Sequence, residues 1–254
     1  MNKMFDLTGK TAFVIGAGGI GSAIAKGLSE QGARILIADV REENIKKATE
    51  AIIRDGGKAE GFVADINTKA AVEQLFADVM KHTDRMDILI NAAGIGAFSS
   101  AIDMTEEIWD SVINHFLNSV FWCCREAGKI RIPQGGGKIV NLCSMSGVVV
   151  TGDAGSSYAA AKAGLIQLTK SLSTEWIGHG IYVNGISPGM VRTALTAPMF
   201  DDNPQAVADM NAQIPLGRIA QPIDMVGPAI FFASSASDYV IGQNLLVDGG
   251  YTAR

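Results

Sequence analysis

The sequence is short of the residues and patterns that mark metal sites, disulfide frameworks and membrane spans. Cysteine occurs only at Cys123, Cys124 and Cys143, an odd number without the spacing of zinc ligands. The adjacent pair lies in a helical pattern, so we expect it to pack in the core. The three histidines are scattered and form no cluster of metal ligands. We therefore expect neither disulfide bonds nor a bound metal.

Long apolar runs and an excess of basic residues are also missing. No run approaches the roughly 18 residues that a membrane-spanning helix needs. The first ten residues, MNKMFDLTGK, are too polar for a secretory signal. Lys and Arg number 21 against 26 Asp and Glu, which gives a net charge of −5, so nucleic acids and anionic membranes are poor candidates as partners. These features predict a cytoplasmic protein.

What the sequence does have is a regular alternation of apolar runs and helical patterns. Hydrophobic residues make up 48% and charged residues 19% of the 254 residues, which is typical of a folded protein. Because the strand-length runs are continuously apolar, both faces of each strand should be buried, as in a parallel sheet. The alternation then predicts the α/β class, with one doubly wound sheet and helices on both of its faces. We expect a single domain over residues 1–254.

The element boundaries follow from the same patterns. Strands are predicted over 11–15, 34–38, 59–63, 87–90, 138–142, 181–186 and 244–247. Helices are predicted over 20–31, 42–55, 68–82, 105–130, 157–178 and 222–234. The segment 190–221 follows neither period, and we predict that it is irregular.

A glycine-rich segment with the sequence GAGGIG occupies residues 16–21, directly after the first predicted strand. It fits the pattern G-x-G-x-x-G, whose glycines allow a tight turn and close backbone approach to a pyrophosphate at a helix N-terminus. On its own the motif is weak, and a plain glycine-rich connection is the alternative. The candidate phosphate-binding residues are Gly16, Gly18, Gly19, Ile20 and Gly21.

Asp39 ends the second predicted strand, 18 residues after Gly21. A carboxylate at this position can accept hydrogen bonds from the hydroxyls of an adenosine ribose, and it would repel the additional phosphate of NADP. Arg41, two residues further, could favour that phosphate, but the nearer charge is negative. The position therefore predicts NAD as the cofactor. An acid that only stabilises a helix N-terminus is the alternative role for Asp39.

Tyr158 and Lys162 are four residues apart in a helical pattern, so their side chains project from one face. A phenol titrates near ~10, and a neighbouring ammonium lowers that pKa by favouring the phenolate. Such a tyrosine could exchange a proton with a substrate hydroxyl. Ser144 follows a strand, where a doubly wound sheet places its ligands, and its hydroxyl could hold a substrate oxygen. Taken singly, the pair could be a solvated helix face and Ser144 a plain loop serine.

Taken together, these residues resemble the pattern of the short-chain dehydrogenase/reductase family over nearly the whole chain. Each matching segment is modest, but their order along the chain is specific. The segments are the glycine loop, Asp39, Asp65, NAAG at 91–94, Ser144, Tyr158 with Lys162, PGMVRT at 188–193, and VDGG at 247–250. The resemblance implies a Rossmann fold with a seven-stranded sheet and an assembly of four copies, or of two.

The resemblance also implies the roles of the catalytic residues. Tyr158 would be the general acid/base, Lys162 would lower its pKa and hold the nicotinamide ribose, and Ser144 would orient the substrate. Hydride transfer would take place at C4 of the nicotinamide, while the protein supplies position and proton handling.

Contacts to the cofactor are implied in the same way. Asp65 would contact the adenine, Asn91 would lie along the adenosine ribose, and Thr193 with the backbone near Val191 would hold the carboxamide. Asp248 is expected to be a structural turn residue. The remaining implied cofactor contacts are Ile66, Ala92, Gly94, Pro188 and Gly189.

Two departures from the family pattern stand out. The usual loop reads T-G-x-x-x-G-x-G, whereas Ile15 replaces the threonine here and the loop is one residue shorter. Alignment of WD at 109–110 and SVF at 119–121 places Phe116 where the family has a helix asparagine that supports a water relay behind the lysine. Asn114 and Asn118 are each two residues away and should point to other faces of the helix.

Three roles for Phe116 remain open. Its backbone carbonyl could still serve the relay, its ring could fill space in a helix interface away from the site, or the ring could block the relay and leave the protein nearly inactive.

The leading interpretation is an NAD-dependent enzyme that interconverts a secondary alcohol and a ketone. The segments SMSG at 144–147, SLSTEW at 171–176 and ISPGMVRT at 186–193 resemble family members that act on polyols, ketoses and sugar acids, including gluconate 5-dehydrogenase-like enzymes; this is analogy with the family. The substrate would be a small molecule, capped by the segment 190–221, in which no specificity code is readable.

Two alternatives stand beside this interpretation. A 3-ketoacyl-thioester reductase is the alternative enzyme, but it would favour NADP and a basic patch for an acidic carrier protein, and neither is visible. A catalytically weakened nucleotide-binding module is the alternative of another class. Phe116 is the one observation in its favour, and the complete set of Ser144, Tyr158 and Lys162 argues against it.

Overall fold

The computed structural model describes residues 3–96, 99–152, 155–201 and 203–253. Its strands are β1 (Thr11–Ile15), β2 (Arg34–Asp39), β3 (Ala59–Val63), β4 (Ile88–Asn91), β5 (Gly137–Leu142), β6 (Ile181–Pro188) and β7 (Asn244–Val247). Within the described residues these seven strands form one parallel sheet in the order β3-β2-β1-β4-β5-β6-β7. The predicted fold class is therefore confirmed.

The helices cover both faces of this sheet. They are α1 (Gly19–Glu30), α2 (Glu42–Arg54), α3 (Lys69–Val79), α4 (Glu106–Ile113), α5 (Ser119–Gln134), α6 (Ser156–Trp176), α7 (Pro204–Gln213) and α8 (Val226–Ala233). Consecutive residues of a strand point to opposite faces. Val14 of β1 accordingly joins a core with residues of α1, α2 and α8, whereas Phe13 joins a core with residues of α3, α5 and α6.

The apolar runs of the sequence become strands because both of their faces are buried. Every residue of β1 and of β4 is buried, as expected for central strands of a parallel sheet with helices on each side. The adjacent cysteines of α5 lie in the same interior: Cys123 and Cys124 are fully buried and free, which confirms that they pack in the core.

Two predicted elements differ from the structure. The helix predicted over 105–130 is divided, because a π-helical turn over Asn114–Asn118 separates α4 from α5. The segment predicted to be irregular, 190–221, contains α7. Asn203 caps α7 by accepting a hydrogen bond from the Ala206 amide at 3.0 Å, but no fully buried side chain lies on this helix. Among its described side chains, only Val207 and Met210 pack, half-buried, against the small cluster of Phe200, Ile214 and Ile219, so the apolar stripe of α7 is too short to be recognised in its sequence.

The described helices include none that combines the length and apolar character needed to cross a membrane. Parts of the sequence-based predictions lie outside the described residues: positions 1–2, 97–98, 153–154 and 254 of the predicted domain, and Asp202 of the predicted capping segment.

Candidate active site

The candidate site lies where the carboxyl ends of the central strands meet. The strand order changes direction between β1 and β4, and α/β sheets bind their ligands outside the strand ends at such a point. Asn91 at the end of β4 pairs in register with Asn141 of β5, and its Nδ2 donates to the Asn141 Oδ1 at 2.8 Å. Asn141 in turn donates to Thr169 of α6 at 2.9 Å. Buried amides thus connect the strand ends to the helix that carries Tyr158 and Lys162.

Ser144 is held in place just beyond β5. It precedes a short 3₁₀ turn over Met145–Gly147, and its Oγ accepts a hydrogen bond from the Ser146 amide at 3.1 Å. The Ser187 hydroxyl donates to the Ser144 carbonyl oxygen at 3.1 Å. Ser144 is only 8% exposed. Its side chain is therefore fixed rather than free, as a plain loop serine would be.

Tyr158 lies in the first turn of α6 and its side chain hydrogen-bonds to Ser144. Burial raises the pKa of Tyr158, and the hydrogen bond from Ser144 opposes that effect without cancelling it. The net direction is opposite to the lowering by Lys162 that the sequence predicted. The reason is distance and medium: the Lys162 Nζ lies 5.7 Å from the centre of the Tyr158 ring, and the phenol is partly withdrawn from water.

Lys162 is buried one turn further along α6. Its Nζ donates to the carbonyl oxygen of Leu142, the last residue of β5, at 2.7 Å. Burial lowers the pKa of Lys162 to about 8, and Cys143 opposes this effect. The ammonium also lies 4.5 Å from the centre of the Phe116 ring. Ser144, Tyr158 and Lys162, which the sequence proposed as one set, are thus brought together.

Phe116 lies in the π-helical turn and reaches the candidate catalytic residues. Its ring meets the Tyr158 ring edge-to-face, with the centroids 4.9 Å apart. The proposal that it only fills a helix interface away from the site is therefore wrong. Asn114, by contrast, donates to the backbone carbonyl oxygen of Asn67 at 2.6 Å, and Asn118 donates to Asn114. Both asparagines face elsewhere, as expected.

The glycine loop forms a cradle that side chains would fill. A Cβ atom on Gly16, whose φ is +102°, would lie 2.5 Å from the Ala93 amide nitrogen, and one on Gly21 would lie 1.9 Å from the Gly16 carbonyl oxygen. A Cβ on Gly18 would meet no described atom within 4 Å, so the loop is open at that point. No described side chain caps the α1 N-terminus there, and its amides are free to bind an anion.

Asp39 connects the glycine loop to the end of β2. Its Oδ2 accepts from the Ala17 amide at 2.7 Å, and its Oδ1 accepts from the Arg41 amide at 2.8 Å and from the Asn44 side chain at 3.3 Å. The carboxylate therefore stabilises the start of α2 and at the same time lies beside the loop. This position is compatible with both roles of Asp39 that the sequence left open, as an acceptor for ribose hydroxyls and as an acid at a helix N-terminus.

Thr193 faces the glycine loop from the opposite side. A Cβ on Gly19 would lie 3.0 Å from the Thr193 Cγ2, so the two lie across a narrow gap. The Thr193 amide donates to the Thr196 hydroxyl at 2.9 Å, and Val191 forms a parallel bridge with Ala220. A Cβ on Gly189 would come within 2.8 Å of the Asp248 Cα, so that glycine is required by a close backbone approach.

The remaining sequence candidates lie around the same strand ends. Asp65 is exposed and accepts from the Asn67 amide at 2.9 Å, whereas Ile66 is buried. Asp248 accepts hydrogen bonds from Gly250 and Thr252, which confirms its structural role. Ala92 directly follows β4, Gly94 lies in the loop after it, and Pro188 ends β6.

Sequence reasoning missed part of the support for the site. His115 was set aside as a scattered histidine, yet it is buried in the π-helical turn, and its Nδ1 lies 3.2 Å from the Asn67 Oδ1. Asn141 and Ser187 were also missed. Their signal was a polar residue inside an apolar strand run, since a buried polar side chain needs a partner.

The residues of this crevice fit a nicotinamide dinucleotide. The cradle at Gly16 and Gly21 leaves room only for close backbone approach, and the free α1 amides suit a pyrophosphate. Asp39 offers acceptors for ribose hydroxyls at one end, and Lys162 and Tyr158 lie at the other. No group of three or more His, Cys, Asp or Glu residues that could hold a metal occurs among the residues that the structure describes.

Comparison with known proteins gives full-length matches. A family model described as enoyl-(acyl carrier protein) reductase matches residues 15–252. The 2-dehydro-3-deoxy-D-gluconate 5-dehydrogenase of Bacillus subtilis is 38% identical over 259 residues, which is 100% of this chain and 99% of that protein. The NAD-dependent glycerol dehydrogenase of Listeria innocua is 35% identical, over 100% of this chain and 98% of its own length.

A solved structure is similar in the same way. The gluconate 5-dehydrogenase of Burkholderia cenocepacia, in complex with NADP and tartrate, superposes with a TM-score of 0.93 at 33% identity and covers 99% of this chain and 98% of its own. At this identity and coverage, this chain has the same fold as that protein over nearly its whole length.

Proposed function

This chain belongs to the short-chain dehydrogenase/reductase family, and from that premise we propose that it is an NAD-dependent oxidoreductase that interconverts a secondary alcohol and a ketone. The observation that carries the proposal is the set of Ser144, Tyr158 and Lys162 at the carboxyl end of β5, with Tyr158 bonded to Ser144 and Lys162 bonded to Leu142. As substrate we propose a polyol, a ketose or a sugar acid, because the relatives that match the whole chain include a glycerol dehydrogenase, a 2-dehydro-3-deoxy-D-gluconate 5-dehydrogenase and a gluconate 5-dehydrogenase.

The proposed mechanism assigns each side chain one task. In oxidation, the phenolate form of Tyr158, which is the minor form at neutral pH because burial raises its pKa, accepts the proton of the substrate hydroxyl, while the hydrogen on the same carbon leaves as hydride. The bound nicotinamide supplies the hydride acceptor. Ser144, fixed by the Ser146 amide and by Ser187, donates a hydrogen bond to the substrate oxygen. In reduction the same phenol returns the proton to the forming alkoxide.

Lys162 contributes to this mechanism by placing a positive charge at a fixed position near the Tyr158 phenol. Its ammonium is held against the end of β5 by the Leu142 carbonyl. A positive charge near the phenol favours the phenolate over the neutral form. Since burial lowers the pKa of Lys162 to about 8, this assistance weakens above that pH.

For the cofactor we propose NAD rather than NADP. Asp39 carries the argument, because its carboxylate lies at the end of β2 beside the glycine loop and would meet a 2′-phosphate with like charge. The relatives differ in cofactor: the glycerol dehydrogenase is named as NAD-dependent, whereas three similar solved structures contain NADP. The choice in this chain therefore depends on its own residues.

We propose that the segment 190–221 caps the substrate within a single domain. A Cβ on Gly96, in the loop after β4, would lie 3.4 Å from the Leu195 Cδ1, so the segment reaches over the strand ends. Arg192 forms an ion pair with Asp201 inside the segment. We also propose a homotetramer, or a homodimer, and a cytoplasmic location.

The experiment that tests the proposed function is a substrate screen. Polyols, sugar acids and secondary alcohols are incubated with NAD, and NADH formation is followed by absorbance at neutral and alkaline pH. The proposal expects turnover of at least one class, and ketone-dependent oxidation of NADH in the reverse direction. A protein that binds NADH but turns over none of these would support the weakened-module alternative. A 3-ketoacyl thioester with NADPH forms a separate arm of the screen, and turnover confined to that arm would support the alternative enzyme.

A further inference from the structure

We propose that Phe116 is a positioning residue that holds the ammonium of Lys162 on its ring face, fixes the ring of Tyr158 with its edge contact, and keeps water from the side of the lysine that it covers. The inference rests on the proposed function only in taking Tyr158 and Lys162 as the proton-handling pair. In this chain an apolar aromatic side chain thus covers Lys162 at the position where the family pattern has an asparagine side chain.

The first argument for this role is the set of contacts that the Phe116 ring makes. The Lys162 Nζ lies 4.5 Å from the ring centroid, well inside the range of a cation–π interaction. The Tyr158 ring meets it at 4.9 Å and 84°, and the His115 ring at 5.0 Å and 83°. Both angles are those of favourable edge-to-face pairs. One phenylalanine therefore contacts both members of the candidate catalytic pair.

The ring itself is locked by its surroundings. Phe116 is 4% exposed, and it packs with Val112 and Ala161, against which Ile95 also lies. The π-helical turn adds a residue to the helix at this point, and the Ser119 amide bonds to the Asn114 carbonyl oxygen, five residues back. Two consecutive side chains, His115 and Phe116, are both buried as a result. Such single π turns occur frequently at functional sites.

The second argument is that the Lys162 ammonium has few hydrogen-bond partners among the described residues. An ammonium has three donors, and the contact to the Leu142 carbonyl uses one of them. The Phe116 ring covers another side of the ammonium, and Lys162 is only 4% exposed, so the charged form is less well solvated than in water. The lowering of the Lys162 pKa by burial is consistent with this surrounding.

Other titratable groups face Lys162 from each packed element. Cys143 approaches from the end of β5, with its own pKa raised by burial to about 11, so it is an uncharged thiol. Tyr158 lies on the same helix. His115 lies in the π-helical turn, where burial first and Lys162 second lower its pKa to about 4. Near neutral pH all three are uncharged, so the protonation of Lys162 can be followed alone.

The test measures the protonation of Lys162 directly, by NMR titration of protein labelled with carbon-13 at the lysine ε position. The Lys162→Arg variant assigns its resonance. Phe116→Met keeps an apolar side chain of similar volume but removes the ring face; because a cation–π contact favours the ammonium, its loss should lower the titration midpoint by about one pH unit. Phe116→Asn admits water and a polar group, so it should raise the midpoint toward that of a solvated lysine.

A matched control comes from the other face of the sheet. Phe231 packs on Phe232 in the core of α8, and Phe231→Met should leave the Lys162 midpoint unchanged. If neither Phe116 variant moves the midpoint, or if both raise it, the proposal is overturned. Should Phe116→Asn fail to fold, Phe116→Met decides alone: a lowered midpoint supports the proposal and an unchanged one contradicts it. The titration needs no substrate, so a failed substrate screen would count against the proposed function without affecting this result.

Discussion

At the residue scale, Asp39 carries two roles in one carboxylate. Its contacts to the Ala17 and Arg41 amides join the glycine loop to the start of α2, and the sequence could identify this residue because its place at the end of the second apolar run was readable. The sequence could not show that the same oxygens already hold the loop in shape. That fact follows from a contact between segments 22 residues apart.

The first prediction concerns cofactor choice. Cofactor titration of the wild-type protein should give tighter binding of NADH than of NADPH by tenfold or more, or at least about 1.4 kcal/mol. Asp39→Asn should narrow the difference by removing the charge while keeping an acceptor. Glu43→Gln, which removes an exposed charge in the first turn of α2, should not narrow it. NADPH binding equal to that of NADH in the wild type would remove Asp39 from this role.

Lys162 leads to a prediction on stability and pH. Burial lowers its pKa from 10.5 to about 8, so the folded state holds a poorly solvated ammonium below pH 8. This penalty is relieved as the pH rises from about 8 towards 10.5, and the stability should rise with it. Lys162→Met should therefore increase the free energy of unfolding at pH 7, on the order of 1–3 kcal/mol, and the gain should shrink by pH 10.

Denaturant unfolding at pH 7 and pH 10 measures these free energies of unfolding. A shift of one pKa unit corresponds to about 1.4 kcal/mol, which is large enough to detect. A Lys162→Met protein that is less stable than wild type at pH 7 would show that the contacts with Leu142 and Phe116 outweigh the cost of burying the charge.

At the element scale, the sequence predicted the strands and the long buried helices well, for a physical reason. β1 and β4 are apolar throughout because both faces are covered, and that pattern is visible without coordinates. The π-helical turn over Asn114–Asn118 was not predicted, since the added residue shifts the apolar register at a single point, and one such shift is not recognisable in a long helical pattern. Phe116 could be flagged as a departure from the family pattern, but its contacts with Tyr158 and Lys162 depend on that turn.

The π-helical turn also bears on the rate. Since residue 116 keeps its backbone carbonyl whatever its side chain, we predict that Phe116→Asn changes NAD-linked turnover on the best substrate by less than about tenfold, or ~1.4 kcal/mol in barrier. Initial rates at saturating substrate measure the effect. Wild-type protein without detectable turnover, rescued more than a hundredfold by Phe116→Asn, would instead favour the weakened nucleotide-binding module.

Helix α7 was not predicted because few of its side chains are buried. For the same reason a single substitution should destabilise it. Asn203 caps it by accepting from the Ala206 amide, and none of its side chains is fully buried. Asn203→Ala should weaken the helix by about 1 kcal/mol. Because the segment is proposed to cap the substrate, KM should rise more than kcat falls, and amide exchange over 204–213 should speed up while the core amides remain protected. A change in kcat alone would argue against the capping role.

At the scale of the whole molecule, the outer faces of the helices bear on assembly. Trp109 on α4 and Ile132 on α5 are each 42% exposed, and large apolar side chains, aromatic ones above all, are the kind that subunit interfaces bury. Helices α4 to α6 are therefore the surfaces on which we expect partner copies to pack, in a closed symmetric assembly.

Light scattering at micromolar concentration tests the assembly. A tetramer would scatter as four times 26.7 kDa and a dimer as twice that mass. Replacement of Trp109 by Glu should shift the distribution towards smaller species without disturbing the cofactor site. Particles of a single chain's mass in the wild-type protein would contradict the proposed oligomer.

The account of the molecule as a proton-handling and hydride-transferring enzyme depends most on Tyr158. The most direct test compares NAD-linked turnover of the wild type with that of Tyr158→Phe, using the best substrate of the screen, while NADH binding is measured in parallel. Tyr239→Phe, which removes the hydroxyl of a fully exposed tyrosine, is the matched control. We predict that Tyr158→Phe abolishes turnover, binds NADH nearly as well as the wild type, and that the control keeps the full rate. Turnover by Tyr158→Phe at more than a small fraction of the wild-type rate would show that another residue handles the proton.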